Sequence, residues 1–78
     1  MPKLPHELAD EFPAEAAKIR DLKATDNHFA RLAAEYDEVN ETIYKAENRL
    51  ALMSEEEEEH LRVKRAALKD HIWAHLRA

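Results

Sequence analysis

The chain has 78 residues, enough for one domain but little for a self-sufficient core. Its 17 acidic and 12 basic residues give a net charge of −5, which argues against nucleic-acid binding because that function needs a surplus of Lys and Arg. The absence of cysteine excludes disulfides and thiolate metal sites, and no apolar run approaches the ~20 residues needed to cross a bilayer.

Residues 1–12 are predicted to form an N-terminal arm with at most one or two helical turns. Glycine is absent, and all three prolines lie within the first 13 residues, so the usual helix breakers are missing from residues 14–78.

Residues 1–5 also lack the apolar core of a signal peptide. We therefore expect a cytoplasmic protein with no membrane contact.

A short helix is predicted over residues 13–24, because proline favours the first position of a helix and Pro13 supplies it. Its apolar contacts are Ile19 and Leu22, and continuing that stripe reaches a polar residue, Thr25 or Asp26. Asp26, or alternatively Thr25, is a candidate N-cap for a new helix. The sequence thus predicts a break or kink near residues 24–27, with a continuous helix as the alternative.

A long helix is predicted over residues 27–53, where apolar side chains recur in alternating steps of three and four residues. This is the a/d pattern of a helix packed lengthwise against another helix. The ladder consists of Phe29, Leu32, Tyr36, Val39, Ile43, Ala46, Leu50 and Met53. One helix cannot cover such a stripe in water, so a second helix must lie along it.

The C-terminal helix is predicted over residues 55–77, and its apolar stripe continues in a different register. Such a change of register indicates two separate helices. Ser54 followed by Glu57 fits a capping box, and the run Glu55–Glu59 lies at the positive end of the helix dipole. The predicted fold is all-α: an antiparallel, coiled-coil-like helical hairpin preceded by a short N-terminal helix, in a single domain over residues 1–78. One long bent helix is the alternative.

The hairpin should form a packing seam and set opposite charges across it. The predicted seam residues are Phe29, Leu32, Tyr36, Val39, Ile43, Leu50, Met53, Leu61, Leu68 and Ile72. The expected inter-helix ion pairs join Glu47 to Arg62 and Glu41 to Lys69, each contributing only about 0–1 kcal/mol. Arg65 lies on the second stripe and is expected to extend its guanidinium to Glu47 or to a neighbouring chain.

Several short strings carry a resemblance to a known family. They are His28-Phe29-Ala30-Arg31-Leu32, Glu35-Tyr36, Val39-Asn40, Glu47, Leu61-Arg62, Arg65-Ala66, Leu68-Lys69-Asp70 and Ile72, with His6-Glu7-Leu8 and Phe12-Pro13 near the start. In this order and spacing the chain resembles the YdcH-like family, short bacterial proteins of unknown function that fold as helical hairpins. The resemblance implies the hairpin and no catalytic residues. The glutamate run and His71 depart from the family's pattern.

Trp73 lies one position beside the second stripe and has two interpretations. It either broadens the seam against Tyr36 and Leu32, or forms an apolar patch for another subunit or partner protein with Leu76 and either Tyr44 or Phe29. Because a two-helix hairpin buries its apolar side chains only partly, we expect association, as a homodimer or tetramer in which hairpins pack into a four-helix bundle.

No residue pattern predicts catalysis or a cofactor, so we expect a non-enzymatic interaction or structural protein that self-associates or docks on a larger protein. The alternative is a small regulator that binds metal or RNA. His71 and His75 have the i, i+4 spacing of two zinc ligands, although a third ligand must come from elsewhere. The basic residues Arg62, Lys64, Arg65 and Lys69 could contact RNA, but nearby acidic residues oppose this.

Overall fold

The computed structural model describes residues 4–77, in which four α-helices and no strand occur. They are α1 (Leu8–Glu11), α2 (Ala16–Thr25), α3 (Asn27–Glu47) and α4 (Glu55–Arg77), with a 3-10 turn at Pro13–Glu15 before α2. The first three residues of the predicted arm, and Ala78, lie outside the described residues. None of these helices is both long and apolar enough to cross a membrane.

The two long helices, α3 and α4, form an antiparallel hairpin. Arg62 near the start of α4 contacts Glu47 at the end of α3, whereas His75 near the end of α4 lies against His28 at the start of α3. The predicted all-α fold is confirmed, and one long bent helix is wrong.

Two side-chain caps determine where the long helices begin. Asp26 adopts an extended backbone (φ −125°, ψ 105°), and its Oδ1 accepts a hydrogen bond from the Phe29 N–H at 3.1 Å. Ser54 Oγ accepts from the Glu57 N–H at 3.1 Å. Both caps satisfy backbone donors that an α-helix leaves free in its first turn. The break predicted near residues 24–27 is therefore present, with Asp26 as the cap.

Helix α3 ends at Glu47, six residues before the predicted end at residue 53. Arg49 has a left-handed backbone (φ 58°), the Leu50 N–H donates to the Lys45 carbonyl at 2.7 Å, and the Arg49 N–H donates to the Ala46 carbonyl at 3.2 Å. These two bonds form a Schellman motif, which usually has glycine at the left-handed position. Arg49 occupies that position here, so no glycine marks the end of α3 in the sequence.

The buried core includes residues from the arm and α2 as well as from the hairpin. Its members are Leu8, Ile19, Phe29, Ala33, Tyr36, Val39, Ile43, Leu68, Ile72 and Leu76, with Phe12, Leu22, Leu32 and Leu61 packed partly buried against them. Leu50, predicted in the seam, is 70% exposed because α3 ends before it. Met53, also predicted there, is half-buried in the connector outside this core.

Side chains of α3 hold the N-terminal arm in place by donating hydrogen bonds to backbone carbonyls of the arm. The Tyr36 hydroxyl donates to the His6 carbonyl at 2.5 Å, and Asn40 Nδ2 donates to the Pro5 carbonyl at 2.8 Å. His6 has a left-handed backbone (φ 61°) in the turn that presents these carbonyls. The arm therefore lies across the hairpin, and its own residue Leu8, on α1, is buried.

The arm also contacts α4 through Glu11 and Phe12. Lys69 Nζ donates to Glu11 Oε1, and the Phe12 ring stacks on the Trp73 ring with 5.2 Å between centroids and an interplanar angle of 7°. Lys18 of α2 donates to the Leu76 carbonyl at 2.6 Å. The short N-terminal elements thus cover the apolar stripes that the hairpin alone leaves open.

Candidate interaction surface

The three residues predicted to form a partner patch do not lie together on an open surface. Leu76 is 3% exposed and belongs to the core, because the arm and α2 pack over the end of the hairpin. Tyr44 is half-buried, and Trp73 is 39% exposed. The prediction that Leu76 contacts a partner is therefore wrong.

Trp73 packs within the chain, but its aromatic partner is Phe12 rather than the predicted Tyr36. The Arg77 guanidinium carbon lies 5.9 Å from the Trp73 ring centroid, within cation–π range. No periodic pattern indicates the Phe12–Trp73 stack, because Phe12 precedes the helices that carry the apolar stripes. Trp73 thus holds the arm against α4 and leaves part of its ring exposed.

One of the two predicted inter-helix ion pairs is present. Arg62 Nη2 donates to Glu47 Oε2 at 3.0 Å across the hairpin, and also to Glu58 Oε2 at 3.1 Å within α4. The hydrogen bond that Arg62 donates to Glu47 raises the pKa of Arg62 above its ordinary value. Lys64 pairs with Glu35 at 3.4 Å, which adds a second contact between the helices.

The predicted contacts of Glu41 with Lys69 and of Arg65 with Glu47 are wrong, because each of these side chains binds another residue of the chain; a contact of Arg65 with a neighbouring chain stays a prediction. Lys69 bonds to Glu11 on the arm, and Glu41 pairs with Lys45 on its own helix at 3.2 Å. Arg65 Nη1 donates to Asn40 Oδ1 at 2.9 Å rather than to Glu47. Asn40, only 2% exposed, therefore links α4 to the arm through α3.

Two shifted pKa values belong to groups that hold the arm in place. Burial raises the pKa of the Tyr36 hydroxyl to about 12, and the nearby Glu11 carboxylate acts in the same direction. The hydrogen bond from Lys69 lowers the pKa of Glu11, although partial burial opposes it. Both pKa shifts arise because Tyr36 and Glu11 bind the arm to the hairpin, so these two groups have a structural role.

The histidines do not assemble a metal centre in residues 4–77, where no group of three His, Cys, Asp or Glu side chains is placed to hold an ion. His71 is exposed, whereas His75 lies against His28 with 5.1 Å between ring centroids and meets the Phe29 ring edge-on at 6.0 Å. The predicted His71/His75 pair therefore acquires no third ligand from the described part of the chain.

A pocket of about 550 Å³ lies between the arm, α2 and α3. Its wall carries charges of both signs, including Arg20 and Lys23 beside Glu7 and Asp37. Desolvation raises the pKa of Asp37, and Lys23 opposes that shift. Since no hydroxyl or thiol lines this wall with Asp37 and the charges are mixed, the pocket indicates no single ligand chemistry.

Two of the four large apolar side chains that are exposed in residues 4–77 lie at the end of the hairpin, in residues 47–61, here called the hairpin tip. Leu50 is 70% exposed and Leu52 is fully exposed. Beside them, a groove of about 380 Å³ is lined by Met53 and Leu61 with Glu56, Glu57 and His60. Sequence reasoning missed this surface, because the apolar ladder assigned Leu50 and Met53 to a helix that had already ended.

Comparison with known families gives one match. Residues 29–76 match the family described as "Protein of unknown function (DUF465)", and this segment covers nearly all of α3, the hairpin tip and nearly all of α4. Comparison with curated proteins and with solved structures found no match. Because the matched segment is more than half of the chain, this protein belongs to the DUF465 family of proteins of unknown function.

Proposed function

We propose that this DUF465 protein is a non-enzymatic interaction protein that docks as a small accessory subunit on a larger protein. Self-association into a homodimer or tetramer is the alternative. The cytoplasmic location and the narrower YdcH-like relationship expected from the sequence belong to the same proposal.

The distribution of exposed apolar side chains carries this proposal. The stripes of α3 and α4 are covered by the chain's own arm and α2, so they require no partner. Four large apolar side chains stay exposed in residues 4–77: Leu50, Leu52, Val63 and Trp73. Leu50 and Leu52 lie two residues apart in the connector that also contains Met53, and exposed apolar side chains grouped in one segment are typical of a protein-binding surface.

The roles of the ionisable groups support a non-enzymatic function. Glu11 and Tyr36, which have shifted pKa values caused by the Lys69 hydrogen bond and by burial respectively, are used to hold the arm. Arg62, whose pKa is raised by its hydrogen bond to Glu47, joins the two long helices. Neither set accompanies a nucleophile in a closed pocket, which is the arrangement that acid–base or covalent catalysis uses.

The basic residues considered for RNA binding are also engaged within the chain. Arg62, Lys64 and Lys69 pair with glutamates, and Arg65 bonds to Asn40. A surface with three of its four cations paired to carboxylates can release few counterions from a phosphate backbone. We therefore do not extend the proposal to RNA.

The test combines affinity capture from the native host with light scattering of the purified chain. A variant carrying Leu50→Ser and Leu52→Ser removes the apolar tip, and Val63→Ser is the matched control on the exposed side of α4. A protein retained by the wild type and by Val63→Ser, but lost from the tip variant, supports docking at the tip.

Self-association gives a different result in the same experiment. A wild-type mass of twice 9.1 kDa that returns to 9.1 kDa in either variant supports the alternative. A monomeric chain that retains the same proteins in every variant, or none in any, contradicts an interaction through these exposed side chains.

A further inference from the structure

The net charge of the protein is located in the hairpin tip. Residues 47–61 contain six of the 17 acidic residues and one of the 12 basic residues, which is a net charge of −5 and equals that of the whole chain. The other residues carry 11 acidic and 11 basic side chains and are neutral overall. The molecule therefore has one strongly negative end.

Most of that negative charge is not neutralised by the chain itself. Glu47, Glu58 and Glu59 pair with Arg62, whereas Glu55, Glu56 and Glu57 make no ion pair with any residue between positions 4 and 77. The helix dipole stabilises glutamates in the first turn of a helix, which explains how α4 can begin with several adjacent negative charges. The dipole does not account for the fully exposed Leu52 beside them.

Apolar and acidic groups alternate around the grooves of the tip. The groove lined by Met53 and Leu61 has Glu56 and Glu57 on its wall. A second groove of about 380 Å³ is lined by Leu52 and Met53 with Glu55 and Glu58. A volume of this size can hold side chains but not a folded domain, and carboxylates line both grooves, with Arg49 as the one cation in the wall of the second.

We infer that the hairpin tip binds a basic, amphipathic segment of a partner protein. Apolar side chains of that segment pack on Leu50 and Leu52 and enter the Met53–Leu61 groove, while its Lys or Arg residues pair with Glu55–Glu57. This inference rests on the proposed docking function and names the partner's chemistry.

The charge distribution disfavours the other occupants. Nucleic acids and anionic membrane surfaces are repelled by an end with a net charge of −5. A second copy docking tip to tip brings like charges together, which is costly at an interface. A cationic protein segment is attracted by the negative charge of the hairpin tip, and its apolar side chains can cover Leu50 and Leu52.

The experiment measures binding of a fluorescein-labelled helical peptide made of Lys, Leu and Ala, by fluorescence anisotropy with the full chain. A second peptide with Glu in place of every Lys is the ligand control. The tip variant carries Glu55→Gln, Glu56→Gln and Glu57→Gln. Its matched control carries Asp21→Asn, Glu38→Gln and Asp70→Asn, which removes the same charge from exposed positions elsewhere. Circular dichroism checks that both variants keep the helical fold.

We expect the Lys peptide to bind and the Glu peptide not to bind. The tip variant should weaken binding about tenfold, as expected for three partly screened ion pairs, and Leu52→Ala should weaken it further. Added salt should weaken wild-type binding more than tip-variant binding. The inference is overturned if the Lys peptide does not bind, or if both charge variants lose the same affinity.

The inference and the proposed function can fail separately. If the Lys peptide does not bind while capture from the host still depends on Leu50 and Leu52, the tip docks on a partner of another chemistry. If the peptide binds at the tip but host capture shows no dependence on these leucines, the surface has the stated chemistry and the docking function is wrong.

Discussion

Replacing Asn40 by alanine should destabilise the protein by about 2–4 kcal/mol, because this side chain joins three parts of the fold. Asn40 is 2% exposed, and it links the Pro5 carbonyl of the arm to the Arg65 guanidinium of α4. Alanine can make neither contact. The substitution therefore removes a polar junction without changing any residue of the exposed tip.

The magnitude follows from the two hydrogen bonds that are lost. The bond to the Pro5 carbonyl, at 2.8 Å, is between neutral groups and contributes about 0.5–1.5 kcal/mol. The bond from Arg65, at 2.9 Å, has a charged donor and contributes about 1.5–3 kcal/mol. Arg65 is half-buried, so water can replace only part of the lost contact.

The assay is urea unfolding followed by circular dichroism, and Asn48→Ala is the matched control. Asn48 is exposed, and its Nδ2 donates to the Tyr44 carbonyl at 2.8 Å within one turn of the chain. Its replacement should cost about 0.5–1 kcal/mol. If Asn40→Ala costs no more than Asn48→Ala, the arm is not held by Asn40 and the described junction is wrong.

Three further predictions concern Tyr36, Arg49 and Phe12. Because the pKa of Tyr36 is raised to about 12 by burial, from 10.0, the folded state holds its proton more tightly than the unfolded chain. The stability advantage of wild type over Tyr36→Phe should be complete well below pH 10 and should fall by about 2–3 kcal/mol as the pH rises through 12. A difference in unfolding free energy that is independent of pH would contradict the burial of this hydroxyl. Arg49→Gly should stabilise the protein by about 0.5–1 kcal/mol, because glycine adopts a left-handed backbone without strain. A lower urea midpoint in this variant would indicate that α3 continues through residue 49. Phe12→Leu should cost about 0.5–1.5 kcal/mol through loss of the aromatic stack and should shift the emission of Trp73, the single tryptophan, to longer wavelength. An unchanged emission spectrum would show that the arm does not cover Trp73.

The sequence predicted the hairpin because its signals are local and periodic. The ladder from Phe29 to Ile43 follows the helical repeat, and those side chains are buried in α3 or packed against the core. Asp26 and Ser54 are polar caps placed directly before the helices that they start. Such signals need only a few neighbouring residues to be read.

The sequence could not predict where α3 ends, because the physical signal there is unusual. The apolar spacing continues to Leu50 and Met53, and no glycine marks the left-handed residue. Arg49 takes that conformation, and hydrogen bonds to Lys45 and Ala46 hold the turn. The apolar spacing alone therefore predicted that α3 continues to residue 53, through residues that belong to the exposed hairpin tip.

The role of the arm could not be predicted, because its contacts have no periodicity. Tyr36 and Asn40 bond to backbone carbonyls of His6 and Pro5, and backbone carbonyls are present at every position of the chain. The Lys69–Glu11 contact joins residues 58 positions apart, and it replaces the pair expected between Lys69 and Glu41. The arm changes both the core and the surface left for a partner.

Solvent paramagnetic relaxation enhancement of the methyl groups, measured by NMR on the unbound chain, tests most directly whether the arm closes the core and leaves the tip open. The Leu50 and Leu52 methyls should relax strongly with a soluble paramagnetic agent, and those of Leu8, Ile72 and Leu76 should be protected. Strong relaxation of Leu8 and Leu76 would show an open arm. Protection of Leu52 would show a tip that is already covered, and either result would contradict the structure on which the docking proposal rests.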